Sequence, residues 1–89
     1  MASLDKSSLE FLEHAAQTGA PEAFFELGLK YCTGHDVKLD LVAAHKWFNL
    51  AAMRGNEQAK TYRLEIAAEM SKAQVAEAQR QAREWLRVH

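Results

Sequence analysis

The sequence predicts an all-α fold: a short α-solenoid of antiparallel helix pairs with about five helices, one complete repeat plus capping helices. Two observations predict it. The chain repeats itself, since the run from Ala15 to Ala23 aligns with the run from Ala51 to Ala59 at an offset of 36 residues, sharing Ala, Ala, Gly and Ala; the same offset sets Phe11 on Trp47 and Leu12 on Phe48. A period of that length is too long for one helix and suits a helix-turn-helix unit that buries its face by stacking on a neighbour. Every stretch between turn residues also carries apolar side chains at helical spacing, with no β pattern to compete.

Taken in order, the first helix is expected over residues 4–17, with Leu4, Leu9, Phe11, Leu12, Ala15 and Ala16 on its stripe and Gly19 ending it. Pro21 opens the second, over 21–32, because proline is favoured in a first turn, and Ala23, Leu27, Gly28 and Tyr31 share its face. Asp40 caps a third over 40–53, striped by Leu41, Ala44, Trp47, Phe48, Ala51 and Ala52 and closed by Gly55. Asn56 caps a fourth over 57–69, with Ala59, Tyr62, Ile66 and Met70 aligned. Ser71 and Gln74 form a capping box that opens the fifth, over 72–87, striped by Val75, Ala78, Ala82, Trp85 and Leu86. Ala and Gly on these stripes let helix axes approach, and the aromatic residues fill the remaining space.

The whole of 1–89 is expected to be one domain, because 89 residues cannot supply two cores. Hydrophobic residues at 48% and charged ones at 26% are the balance of a folding chain. Eleven Lys and Arg against twelve Asp and Glu leave a net charge of -1, so no overall field draws the protein to nucleic acid or to a membrane surface. Asp5, Glu10 and Glu13 interrupt any leader-like apolar run, and the single cysteine, Cys32, builds no disulfide framework; both point to a cytoplasmic protein.

From Ala15 to Ala59 the sequence resembles the Sel-one-like repeat family, whose units read roughly A-x-x-x-L-G-x-x-Y-x-x-G-x-G-V-x-x-D-x-x-x-A-x-x-W-x-x-x-A-A-x-x-G. The matching residues are Ala23, Leu27, Gly28, Tyr31, Gly34, Val37, Asp40, Ala44, Trp47, Ala51, Ala52 and Gly55, with Asp36 in place of the second turn glycine. Asp tolerates the left-handed conformation better than most residues, so the turn survives the exchange. One unit, 21–55, is complete; 4–17 resembles the closing helix of a preceding unit, and 57–69 the opening helix of a following one, with Arg63 and Leu64 replacing its Leu-Gly. The resemblance implies a right-handed solenoid related to tetratricopeptide arrays, acting as an adaptor in protein complexes, with no catalytic residues, cofactor or metal to carry over.

Other chemistries have weaker footing. Cys32 and His35 have a C-x-x-H spacing, yet zinc needs two such pairs, and His14 and His45 stand alone on separate helices. A Cys32 nucleophile would need a histidine base and an orienting third group. Arg80, Arg83 and Arg87 line one face of the last helix, as a nucleic-acid reader would, but Glu77 and Glu84 interleave with them and the positive charges suit the helix C-terminus. The expectation is therefore a non-catalytic module, monomeric or weakly self-associating, that binds a protein or peptide on its inner helical surface. A small metal-binding or Cys-dependent hydrolase and a weak nucleic-acid binder are the alternatives. Phe24 is the expected anchor, because the resembled pattern has a polar residue there; Lys60, its equivalent 36 residues on, and Arg63 on the same helix join it. The alternative for Phe24 is packing beneath the terminal helix or the first one.

Overall fold

A computed structural model describes the backbone of residues 2–89 and the side chains of residues 9–89, so Leu4 of the first stripe lies outside the described side chains. Five α-helices form where the turn residues predict: α1 (Ala2–Gln17), α2 (Pro21–Thr33), α3 (Leu41–Met53), α4 (Glu57–Ala67) and α5 (Lys72–Val88). Helices α3, α4 and α5 start on side-chain caps, whereas α2 starts on Pro21 without one. Asp40 accepts a hydrogen bond from the Ala43 amide, Asn56 from the Ala59 amide, and Ser71 and Gln74 satisfy each other's backbone amides at the start of α5. Such caps satisfy amides that a helix's first turn otherwise leaves unpaired.

Helix α3 occupies the centre, and α2, α4 and α5 all pack against it while α1 packs on α2. The α2–α3 pair runs antiparallel, Phe24 meeting Trp47 and the Tyr31 carbonyl accepting from the Asp40 amide at 2.9 Å. The approach is closest at Gly28, where a Cβ would stand 2.5 Å from the Phe48 ring. Only glycine permits that distance, and the absent side chain is what lets Phe48 lie flat on the α2 backbone.

Two aromatic clusters divide the core. Phe24 stacks on Trp47 at 6.0 Å and meets Trp85 edge-on at 5.2 Å, with Trp85 also 6.2 Å from Trp47. One residue along each helix, Phe25 and Phe48 turn to the other side and close on Tyr62, each 5.5 Å from it. Successive residues on a helix diverge by about 100°, so Phe24-Phe25 and Trp47-Phe48 place one ring in each cluster. The first cluster secures α5, the second secures α4.

Two expectations are corrected here. Phe24 is fully buried beneath Trp85, because the α2 flank it occupies is the one that α5 covers, and it offers no surface to a partner. Phe11, expected on a buried stripe, is 71% exposed. Its equivalent Trp47 is covered by Phe24 and Trp85, whereas α1 is held chiefly by α2, through another part of its surface. The tolerance expected of Asp36 is observed: it adopts φ 68, and its carboxylate accepts a 2.8 Å hydrogen bond from Lys30, which holds its pKa below the usual value.

The second helix pair departs from the first. Where α2 has Leu27-Gly28, α4 has Arg63-Leu64, and α4 and α5 scarcely touch although they are consecutive. A leucine in the glycine's place bars the close approach that α2 and α3 make, and α5 packs on α3 and Phe24 instead.

Gly28→Ala should destabilise the protein by about 1–3 kcal/mol through overpacking against Phe48, although alanine is the better helix former. Urea denaturation checks this, and a gain in stability would contradict the close α2–α3 contact. Phe24→Ala should cost about 3–5 kcal/mol, the range for a buried core aromatic, and shift the urea midpoint correspondingly. A wild-type midpoint would mean that α5 does not depend on the cluster.

Candidate functional site

The gap between α4 and α5 is a cleft of about 340 Å³ bordered by His45 and Asn49 of α3, Arg63, Leu64 and Ala67 of α4, and Val75 and Gln79 of α5. Helical spacing explains the set. His45 and Asn49 are one turn apart on α3, and Val75 and Gln79 are one turn apart on α5, so each helix aims a pair at the same gap. Arg63 is positioned across α3 by donating from Nη1 to Asn49 Oδ1 at 2.5 Å. Leu64 stands at the mouth, 68% exposed.

His45 is the unusual member. It is 3% exposed, and its Nδ1 is buried with no hydrogen-bond partner. Burial pushes its pKa below the ordinary histidine value, and the nearby Arg63 charge pushes the same way. The imidazole is therefore held neutral beside a permanent cation.

Of the three residues expected to meet a partner, the cleft contains Arg63 alone. Lys60 lies on the outer side of α4, where its ammonium is 3.3 Å from Glu57, and Phe24 is in the core. His45, Asn49 and Gln79 were not anticipated. The i, i+4 spacing of His45 and Asn49 on α3, and the exchange of Leu-Gly for Arg63-Leu64 on α4, are the sequence signals at the cleft; nothing in the sequence marks Gln79.

The remaining candidates are dispersed. Burial raises the Cys32 thiol pKa, its Sγ faces the Leu29 carbonyl at 3.5 Å, and His35 lies in the following turn beside Asp36. Among the described residues no three His, Cys, Asp or Glu side chains come together as a metal site would need. Arg80 and Arg87 pair with Glu77 and Glu84 at 2.7 and 2.6 Å, and hydrogen bonds from Arg80 and then Gln81 lower Glu77 to about 2. No helix is long and apolar enough to cross a membrane among the described residues.

Neither a protein-family model nor a curated protein matches this sequence.

Because His45 titrates lower in the folded state than in the unfolded chain, the unfolded state binds more protons as pH falls. The contribution is complete above the unfolded value near 6.5 and is lost as pH drops through the folded value. Wild-type stability should therefore fall relative to His45→Leu between pH 8 and pH 5, measured as urea midpoints of both proteins. A difference that stays constant with pH would show that His45 is not held neutral.

Proposed function

We propose that this chain is a non-catalytic interaction module, a short α-solenoid of the Sel-one-like kind that recruits a protein or peptide in the cytoplasm as a monomer or weak homo-oligomer. The observation that carries the reading is the 36-residue repeat expressed as equivalent environments. Gly19 and Gly55 both take left-handed backbone angles, φ 85 and φ 98, directly after a helix. Ala23 and Ala59 are both buried in the first turn of the following helix, and Ala16 and Ala52 are both buried in the turn before the glycine. Stacked helix pairs expose long continuous surfaces, and proteins built this way bind partners along them.

On this reading the binding surface runs over α4 and its junction with α5. The complete α2–α3 pair is consumed by core packing, with Phe24 beneath α5, whereas Leu64 is exposed and the half-buried Arg63 lines the open cleft. The nucleophile reading gains nothing from a thiol whose pKa burial raises, because the thiolate is the reactive form. The nucleic-acid reading loses two of its three arginines to intrahelical carboxylates.

Immobilised protein should enrich a defined set of proteins from an extract of its own source cell, compared with an unrelated helical domain of the same size. The free protein should compete that set away, and Cys32→Ser should leave it unchanged. An extract in which nothing is enriched over the control overturns the interaction reading, and loss of capture on Cys32→Ser would redirect it to thiol chemistry.

A further inference from the structure

We propose that the cleft between α3, α4 and α5 is a receptor for a carboxylate that sits next to an apolar side chain on a peptide; this rests on the interaction-module reading and specifies its ligand. Three independent features converge on that chemistry.

The cleft is rich in donors and has no acidic lining residue. Arg63 is half-buried and, among the described residues, lies beyond 4.0 Å of every carboxylate, whereas Lys30, Lys60, Arg80 and Arg87 each have an acidic partner. A guanidinium carries five N–H groups, so the bond to Asn49 leaves the fork free to take a carboxylate in the bidentate manner. Because Asn49 Oδ1 accepts from Arg63, the amide NH2 is oriented away from that bond and remains available to donate.

His45 adds a further donor. Its unpartnered Nδ1 is sealed from solvent, and a stranded lone pair is tolerated better than a stranded N–H, so the neutral ring carries its hydrogen on Nε2. The ring therefore contributes an N–H without a second full charge next to Arg63.

The apolar component is equally defined. Leu64 is 68% exposed at the mouth, with Ala67 and Val75 behind it. Large apolar side chains beside convergent polar groups are the usual composition of a ligand site, and about 340 Å³ admits a carboxylate with one aliphatic side chain. The cleft also has a reason to exist, because Leu64 replaces the glycine that lets α2 and α3 close on each other.

The test is a titration of the 15N-labelled full chain, followed by amide chemical shifts, with three probes: N-acetyl-Ala-Leu with a free terminal carboxylate, the same peptide amidated, and N-acetyl-Leu-Glu amidated at its terminus. Saturable shifts are expected at His45, Asn49, Arg63, Leu64 and Gln79 with a carboxylate-bearing probe. Saturation by the first assigns a chain terminus as the ligand, and saturation by the third an acidic side chain. The amidated Ala-Leu probe and Arg63→Gln should each weaken binding by about tenfold or more. Should Arg63→Gln fail to fold, the exposed Leu64→Ala keeps the fold and should weaken the same probe by several-fold. Equal affinity for the amidated peptide, no saturation by any probe at millimolar concentration, or shifts confined to other helices overturns the carboxylate site. Cellular proteins still captured after such a result would leave the interaction module standing and place its surface elsewhere.

Discussion

The contact between Gly28 and Phe48 is the constraint on which the rest of the structure depends. It sets the separation of α2 and α3, and that separation decides where the neighbouring aromatic rings point. With Phe48 seated on the α2 backbone, Trp47 is carried to the opposite flank to meet Phe24, and Phe25 is brought beside Phe48. Helices α4 and α5 then attach to surfaces that the central pair has already formed. Loss of a single hydrogen-sized vacancy would propagate to both clusters, because a close-packed interior has no slack to absorb it.

The same logic explains why one helix pair is closed and the other open. Position 28 and position 64 are equivalent in the repeat, yet one is a glycine inside a tight contact and the other a leucine in water. A residue at a helix contact can open one helix pair while the other stays closed, because the side chain at the point of closest approach sets the separation of the two axes. Here the opened pair leaves a cleft lined by His45 and Asn49 of α3 and Arg63 of α4, with His45 itself almost wholly buried.

Much of the fold was legible in the sequence because its signals are local. Asp40, Asn56 and the Ser71–Gln74 box act within one turn, so the starts of α3, α4 and α5 follow from them directly. The fate of Phe24 was not legible, because its burial depends on where a helix sixty residues later comes to rest, and neighbouring positions on α2 look alike in sequence. Phe11 was misplaced for the complementary reason: its periodicity is that of a buried residue, but a stripe is covered only if another helix lies on it. The cleft is not legible in the sequence because three helices build it and no one of them carries its pattern. Only Arg63, marked by its departure from the repeat, could be singled out beforehand.

The division of the aromatic core also gives the molecule two built-in optical probes with different fields of view. Both indoles, Trp47 and Trp85, lie in the cluster that fastens α5, and the His89 ring stacks on Trp85 at 4.1 Å and nearly parallel. Tyr62 belongs to the cluster that fastens α4. Tryptophan emission thus observes one side of α3 and is blind to the other, while Tyr62 observes the side next to the cleft. A protein of this size that unfolds as one unit would lose both signals together, and in a Tyr31→Phe background, where Tyr62 is the sole tyrosine, a molecule whose α4 edge loosens first would reveal it as a tyrosine change that precedes the tryptophan one.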